Sequence, residues 1–495
     1  MKKICAVGIL VLLALCSYSQ KGSIENVYDI TLRNAGVIKE DAQVKGYYFF
    51  YVSDKIDKKN NEFILSISDN NLKKIKDIKF QDSKNITILN SAFNGSELAF
   101  VLHNEMSDKL EYKIFSSDGK LKHSYINELE GWFEVEKMGK GPRTEDQLKQ
   151  SLYGEIYPIK GEGFISKVLE KSGRSFNLTY YSGKSKKQWS YKPTGKFKMS
   201  GAFFLGTINN KILFHVIKFN GIFDKNPESS IIALDIETGK LLFENSTYNS
   251  KYKLFPSKIT DVGNSKGVVY SEYYSADAAI VKDKSMGFAL SEIDENGQLI
   301  KEKQFSWKEG LEKYFVVSDK GKIDDFGFLF IHDITQTDNG DLFLIGEGFK
   351  TSGLKTHTTD LMLLHFNKAM DLKEARIFPK QSNPVNLDGG GGLMSNQTKG
   401  IIMKQEQKFD YAYTVENFDK TSFTIGYTNY QKDKNYKGIT FNSISYYEGK
   451  LTTDKLFNNS EATISAVLPA KQGQVLVLDY FKKDKRLEFH FEKMN

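Results

Sequence analysis

Residues 331–349 read IHDITQTDNGDLFLIGEGF and contain the pattern on which the fold depends. Two apolar runs flank a turn made of Asp338, Asn339 and Gly340. Tight hairpin turns favour Gly and Asn because these residues adopt positive φ readily. The run after the turn, LFLI, is continuously apolar, as expected for a strand in a sheet that is covered on both faces. The segment therefore predicts a β-hairpin whose second strand is deeply buried.

Hairpins of this first type recur along the whole chain, each with a turn followed by a strongly apolar strand. The other seven are VKGYYFFYV, FNGSELAFVL, KGEGFISKV, INNKILFHVI, GNSKGVVYSEYY, FDKTSFTIGY and KQGQVLVLDY. A second, more polar type alternates with them, as in FILSISDNNLKK and IALDIETGKLLF. Two hairpins make a four-stranded antiparallel sheet, and repeats of this size predict an all-β protein of the β-propeller class.

The number of blades follows from counting the turns. Eight turns of the first type and seven of the second are recognisable, and the last unit, from about Ala462, lacks a complete second hairpin. The N-terminal stretch NVYDITLR, residues 26–33, is expected to supply the missing outer strand and so remove an open sheet edge. We expect eight blades in a single domain, residues 20–495; seven blades with an irregular edge is the alternative.

The N-terminus, MKKICAVGILVLLALCSYSQ, has the features of a secretory signal peptide. A basic start precedes an apolar core that is too short to span a bilayer, and small residues follow. We expect residues 1–19 to be the signal, with cleavage between Ser19 and Gln20. Lipidation at Cys16 is the alternative, but Leu15 occupies a position where a small residue is preferred.

Charge and cysteine content narrow the possible functions. The formal charge is +7, but Lys and Arg are mixed with many Asp and Glu, which predicts a solvated surface and no nucleic-acid partner. No later segment is apolar for long enough to form a membrane span. Both cysteines, Cys5 and Cys16, lie in the signal, so the mature chain is expected to lack disulfides, thiolate chemistry and zinc–thiolate sites. We predict no cofactor.

The signal ending in Ser-Gln, the repeats rich in Tyr and Phe, and the segment ITQTDNGDLFLIGEGF resemble secreted β-propeller-like proteins of Bacteroidota. This resemblance covers most of the chain, and its motifs are structural. It implies a fold and an exported location: periplasm, cell surface or medium. It implies no catalytic residue.

The acidic cluster from Asp338 to Asp341 could be a calcium loop or a plain turn. A helix-loop-helix calcium site needs oxygen ligands at alternate positions and a Glu at the twelfth position. Here the flanking segments are predicted strands and the twelfth residue is Phe349. Asx residues and Gly are the usual turn formers, so we predict a turn without a metal.

His332 and Asp333 form the sole adjacent His–Asp pair in the sequence. Neighbouring strand residues point to opposite faces, so the two are not expected to form a catalytic base with its orienting carboxylate. Inner strands line the channel of a propeller, however, so both remain candidate ligand-binding residues.

Residues 387–393, LDGGGGL, form the most unusual local composition. Such a run can wrap an anion with backbone N–H groups, which makes Asp388 and Gly390 candidate ligand-binding residues; a flexible loop is the alternative.

Residues 144–152 are predicted to form a short helix, and residues 308–319 a further helical turn. Aromatic residues on the repeats either fill the blade core or stack on sugars.

Three functions fit these observations. We favour a non-enzymatic, exported binding or scaffold module that uses propeller loops to hold an envelope protein or a glycan. The alternative is an exported glycan-active hydrolase or lyase, which would bring acidic residues together at the channel mouth. A structural protein of the envelope would instead show a large exposed apolar patch.

Overall fold

The protein is an eight-bladed β-propeller, as the hairpin count predicts. The computed structural model describes residues 21–30, 35–40, 42–104, 109–128, 155–170, 174–221, 224, 226–280, 283–319, 321–352, 355–385, 387, 396–432, 434, 436–471 and 473–494. Each blade is an antiparallel sheet of four strands, and blade 6 carries one extra short strand. The first strand of each blade lies nearest the central channel, and in blades 1 to 5 and 8 it contacts the first strand of a neighbouring blade.

The strands follow one another from the channel outwards in every blade. Blades 1 to 4 comprise β2 (Ala35–Glu40), β3 (Gln43–Lys55), β4 (Asn60–Asp69) and β5 (Lys74–Ser83); β6 (Ile86–Phe93), β7 (Glu97–Asn104), β8 (Lys109–Ser116) and β9 (Leu121–Glu128); β10 (Glu155–Ile159), β11 (Gly163–Leu169), β12 (Phe176–Ser182) and β13 (Gln188–Tyr191); and β14 (Met199–Ile208), β15 (Lys211–Phe219), β16 (Glu228–Asp235) and β17 (Leu241–Ser246).

The second half of the ring repeats this arrangement. Blades 5 to 8 comprise β18 (Tyr252–Gly263), β19 (Lys266–Ser275), β20 (Gly287–Ile293) and β21 (Leu299–Ser306); β22 (Phe328–Gln336), β23 (Leu342–Ser352), β24 (Lys355–Phe366) and β25 (Leu372–Phe378), with β26 (Asn383–Val385) beside β24; β27 (Tyr411–Glu416), β28 (Ser422–Lys432), β29 (Lys437–Tyr447) and β30 (Lys450–Phe457); and β31 (Ile464–Pro469), β32 (Gln474–Phe481), β33 (Arg486–Lys493) and β1 (Lys21–Glu25).

The ring closes through strands from both ends of the chain, but the N-terminal strand is not the one expected. β1 pairs with β33 from Lys21 opposite His490 to Glu25 opposite Arg486, so the outer strand of blade 8 precedes residues 26–33. Asn26 has φ +61, a left-handed conformation that ends the strand. The following stretch crosses to blade 1 and buries Val27 and Ile30 in the core between blades 7, 8 and 1.

Separate apolar clusters fill the spaces between successive blades. Phe343, on β23, is fully buried and packs against Phe423 and Tyr446 of blade 7. On the same strand, Leu344 faces the opposite way, towards blade 5. A strand covered on both faces needs apolar residues at every position, which explains the continuous run LFLI.

In the described part of the chain, two helices lie in the connections between blades. α1 (Trp307–Leu311) falls in the region where a helical turn was predicted; Ser306 caps it by accepting a hydrogen bond from the Glu309 backbone N–H. α2 (Asn396–Gln405) was not predicted. Ile401 on α2 packs against apolar clusters of blades 4 and 5 and of blade 6, so this helix lies over these blades at one end of the channel. The predicted helix at residues 144–152 lies outside the described residues.

The two ends of the channel therefore differ. We call the end where α2 lies the helix end, and the end bearing the turns between first and second strands the turn end. In the part of the chain that is described, no helix has the length and apolar character needed to cross a membrane.

Candidate functional site in the propeller channel

A β-bulge on β22 determines where the predicted pair points. Ile331 lies opposite Gly346 and Asp333 opposite Ile345, so His332 is an extra residue. Bulges re-aim side chains and are frequent beside functional sites. His332 and Asp333 both contact Tyr411 of blade 7: the His332 ring stacks on the Tyr411 ring, and the Tyr411 hydroxyl donates to the Asp333 carboxylate at 3.5 Å.

Such bulges recur around the channel. In the pairing described, the inner strands of blades 2, 4, 5, 6 and 7 each carry an extra residue relative to the second strand. In blade 5 the bulge immediately precedes Lys258, just as the bulge in blade 6 precedes Asp333. Two charged residues on adjacent blades are thereby brought together.

His332 is buried in an aromatic layer. Its ring stacks on that of Tyr411 with centroids 4.6 Å apart and planes 5° apart, and it meets the edges of Phe330 and Phe409. Its Nε2 atom lies 3.5 Å from Oε2 of Glu347. Burial lowers the pKa of His332 despite the opposing effect of Glu347, so the imidazole is neutral at pH 7.

Glu347 is the centre of a buried polar network behind this layer. Its carboxylate is fully buried and accepts hydrogen bonds at 3.0 Å from the backbone N–H groups of Asp410 and Tyr411. The Lys380 ammonium, equally buried, lies 3.1 Å away. Burial alone would raise the pKa of Glu347, but His332, Lys380 and the backbone donors together hold it below its ordinary value.

Lys380 also joins Glu347 to a second carboxylate. Its Nζ atom lies 2.5 Å from Oδ2 of Asp410, which also accepts a hydrogen bond from Asn383 at 2.9 Å. Burial raises the pKa of Asp410, an effect that Lys380 opposes. The network ties the connection between β25 and β27 to the second strand of blade 6, so it has a clear structural role.

On the channel side, Asp333 is surrounded by lysines from three other elements. Lys258 on β18 lies 3.3 Å from Oδ1 of Asp333 and donates a hydrogen bond to the Ile334 carbonyl at 2.5 Å. Lys404 on α2 donates to the His332 carbonyl at 3.4 Å. Lys39 on β2 reaches across from blade 1, with its Nζ atom 5.6 Å from the centre of the Tyr413 ring on blade 7.

The protein around two of these lysines restricts their hydration. Burial lowers the pKa of Lys39 and of Lys404, and the nearby Asp333 carboxylate acts in the opposite direction. Lys404 nevertheless has an exposed side chain. A lowered pKa and an exposed side chain occur together when the side chain lies in a narrow channel that admits water but has protein on several sides.

A cavity of about 400 Å³ opens at the turn end of the channel. Inner strands of four successive blades form its walls, and its residues are Val37, Lys39, Glu40, Ser91, Ala92, Phe93, Asn94, Ile156, Pro158, Lys160, Phe204, Gly206 and Thr207. Lys39 belongs both to this cavity and to the lysines around Asp333. At the rim, Glu40 is 3.4 Å from Lys45 and 4.0 Å from Lys160.

A second cavity, of about 360 Å³, lies between the N-terminal segment and blade 1. Tyr28 and Tyr51 line it together with Glu25, Asp54 and Glu62. Tyr51 is buried, and the Lys485 ammonium already covers the Tyr28 ring at 3.9 Å. These two aromatic rings are therefore poor platforms for stacking a sugar.

The acidic stretch at residues 338–341 forms a turn between β22 and β23. Gly340 has φ +87, and its N–H donates to the Thr337 carbonyl at 2.9 Å. The Asp341 carboxylate accepts a hydrogen bond from His365 at 2.7 Å and lies 3.5 Å from Lys373. No cluster of three or more potential metal ligands occurs among the residues that the structure describes.

The other predicted site residues lie outside the described residues: Asp388, Gly390, Ser19 and Gln20. Sequence reasoning also missed several residues now placed at the channel or behind it: Lys39, Lys258, Glu347, Lys380, Lys404, Asp410 and Tyr411. Glu347 did give a signal, because a carboxylate within a continuous apolar strand must find buried partners.

These features define a class, the eight-bladed β-propellers, here with lysines gathered in the channel around one aspartate. The chain belongs to the family described as "Family of unknown function (DUF6770)", which matches residues 1–355 and 351–495. No curated protein matches the sequence.

Similar solved structures include propellers with diverse roles. They include quinohemoprotein alcohol dehydrogenase ADHIIG from Pseudomonas putida HK5 (11% identity, TM-score 0.35, 77% of this chain and 62% of that chain). The propeller domain of the Trilobed protease from Pyrococcus furiosus is similar with 9% identity and a TM-score of 0.41. The match covers 87% of this chain and 98% of that chain. Prolyl oligopeptidase B from Galerina marginata is similar with 11% identity and a TM-score of 0.43. The match covers 92% of this chain and 55% of that chain. The chain thus spans less than two thirds of the first and third of these proteins, and the likenesses carry no functional argument.

Proposed function

We propose that this protein is an exported, non-enzymatic binding module that takes its ligand in the channel, through the turn end. The observation that carries this proposal is the cavity of about 400 Å³ whose walls come from four blades. Ligand sites are typically concave, preformed and few in number, and a cavity shared by several blades fits that description. The envelope partner is a glycan or a protein segment small enough to enter.

The chemistry of the channel favours binding over hydrolysis. Glycoside cleavage needs two carboxylic groups that can reach the substrate from opposite sides. Asp333 is partly exposed, but its neighbours Glu347 and Asp410 lie behind His332 and Tyr411 and are occupied by Lys380. Burial raises the pKa of Tyr411 well above its ordinary value. The phenol therefore keeps its proton at neutral pH and is not available as a general base.

A structural role in the envelope receives less support. Two of the most exposed large apolar residues, Val316 and Phe418, are 71% and 85% exposed. Val316 lies in the connection before β22, at the helix end, and Phe418 lies in the β27–β28 turn, at the turn end. Apolar groups at opposite ends do not form one patch of the kind that marks an assembly interface.

Export is part of the proposal and rests on the N-terminal sequence. A basic start, a short apolar core and small residues before Gln20 are the features that a signal peptidase recognises. Cell fractionation followed by N-terminal sequencing tests this. A mature chain that begins at Gln20 in the envelope or the medium supports export; an intact N-terminus in the cytoplasm contradicts it.

Binding in the channel is tested by thermal unfolding of the mature chain with envelope glycans and peptides. A ligand that binds the folded state raises the melting temperature by mass action. Thr207→Trp fills the cavity, and Lys186→Trp places the same side chain on an exposed bend as a control. We expect a shift in the wild type and the control that Thr207→Trp abolishes. An equal shift in all three proteins contradicts the proposal.

The same mixtures also separate binding from catalysis. Mass spectrometry after incubation shows whether the ligand is recovered intact. Cleavage of a glycan that Asp333→Asn abolishes would replace the binding proposal with a hydrolase or lyase. Intact recovery of a ligand that shifts the melting temperature supports a binding module.

A further inference from the structure

We infer that the channel recognises an anionic group of its ligand, a phosphate or a carboxylate, through Lys39, Lys258 and Lys404. This inference deepens the proposed function and rests on it. The shared chemistry is a compact oxyanion held by ammonium groups from three separate elements: blade 1, blade 5 and α2.

Positive charge exceeds negative charge around Asp333. Among the described residues, Asp333 is the carboxylate that these three lysines share, and it lies 3.3 Å from Lys258. The Asp333 carboxylate opposes the burial that lowers the pKa of Lys39 and of Lys404, and it accepts a hydrogen bond from Lys258. One carboxylate offsets one ammonium, so positive charge remains at the channel wall. Lys258 and Lys404 keep exposed surface, so their ammonium groups can reach an anion in the channel, and that anion would balance the remaining positive charge.

The neighbouring carboxylates are already used. Glu347 is saturated by Lys380 and two backbone N–H groups, and Asp410 by Lys380 and Asn383. Both lie behind the aromatic layer of His332 and Tyr411. The channel lysines therefore gain little from them.

The three lysines lie along the path from the cavity into the channel. Lys404 descends from the helix end and contacts the His332 carbonyl, whereas Lys39 lines the cavity at the turn end. An anion that enters the cavity thus meets Lys39 first and has Lys258 and Lys404 beyond it. Lysine suits this task because its ammonium is a compact charge on a flexible stem.

Isothermal titration calorimetry of the mature chain at low salt tests the inference. The probes are inorganic phosphate, glucose 6-phosphate, galacturonate and glucose. We expect the anions to bind and glucose not to bind. Tighter binding of glucose 6-phosphate points to a phosphate ligand, and tighter binding of galacturonate points to a uronate.

Variants give effects of opposite sign. Lys39→Gln and Lys404→Gln should each weaken anion binding about tenfold, the equivalent of about 1.4 kcal/mol. Asp333→Asn should tighten it, because a competing carboxylate is removed while the shape is kept. A purely structural role for Asp333 would not produce tighter binding. Lys184→Gln, on an exposed bend, is the matched control and should leave the affinity unchanged.

Each result is decisive for one of the two claims. The inference falls if no anion binds at about 10 mM, a level that would detect even a Kd in the millimolar range. It also falls if glucose binds as tightly as the anions, or if the lysine variants bind normally. If a neutral glycan binds and Thr207→Trp blocks it, the proposed function stands without the inference. If anions need Lys39 but ignore Thr207→Trp, the lysine site stands and the cavity assignment falls.

Discussion

Replacing Lys380 with Met should destabilise the fold far more than removing a typical ion pair. The Lys380 side chain is fully buried, and its ammonium lies 3.1 Å from Glu347 and 2.5 Å from Asp410. Methionine keeps the length and apolar volume but leaves two buried carboxylates without their shared cation. Breaking a buried pair in this way costs about 3–5 kcal/mol, and we expect a loss of that size at pH 7.

The loss should depend on pH in a defined direction. Burial raises the pKa of Asp410 even with Lys380 present, and removing the cation raises it further. As the pH falls, Asp410 therefore takes up a proton in the folded variant, and one of the two unpaired charges disappears. We expect the difference in unfolding free energy between variant and wild type to be smaller at pH 5 than at pH 7.

Urea unfolding followed by tryptophan fluorescence measures these differences. The control is Lys184→Met, which removes an ion pair of 2.7 Å to Glu162 in which both side chains are well exposed. Exposed pairs contribute about 0.2–1 kcal/mol, so at a comparable distance the exposure of the control pair should make its removal much less costly. Adding Asp410→Asn to Lys380→Met should recover part of the loss. A loss below about 1 kcal/mol for Lys380→Met, equal to the control, would refute the reasoning.

Three further predictions concern the scaffold. Burial lowers the pKa of His215 to about 3 from its ordinary 6.5, so stability is full above pH 6.5 and is lost as the pH falls towards 3. His215→Asn should reduce the slope of unfolding free energy against pH in that window by up to about 1.4 kcal/mol per pH unit; an unchanged slope would contradict this. Gly287→Ala should lower the melting temperature strongly, because a Cβ there would lie 2.0 Å from the Phe305 carbonyl oxygen, whereas Gly201→Ala has open space; equal melting temperatures for the two variants would show the close approach to be wrong. Deleting Lys21–Glu25 should expose the edge of blade 8 and speed amide exchange along β33, and unchanged exchange would exclude the closure described above.

The local pattern was sufficient to predict the blades. In most blades a turn with Gly or Asn precedes the apolar second strand, although Gly46 lies inside β3 and not in the turn of blade 1, and the structure confirms eight blades closed by strands from both termini. The closing N-terminal segment was misassigned because KGSIE is short and polar, while residues 26–33 look more strand-like. Only the positive φ of Asn26 and the pairing with β33 reveal the true strand.

The candidate site was harder to predict for physical reasons. A bulge adds one residue to a strand and leaves no mark in the alternation of apolar and polar residues, so the common contact of His332 and Asp333 with Tyr411 could not be read from the sequence. The lysines at positions 39, 258 and 404 belong to three different elements. Their common approach to Asp333 is a property of the closed ring, in which elements distant in sequence meet at the channel, so the local sequence pattern does not show it.

Lysine footprinting by mass spectrometry tests the central claim most directly. Native mature protein is acetylated briefly with and without a ligand that raises its melting temperature, and the reactivity of each lysine is compared. The account predicts that the ligand protects Lys39, Lys258 and Lys404 while Lys184 stays reactive. Unchanged reactivity of all three channel lysines, with protection elsewhere on the ring, would show that the ligand does not bind in the channel.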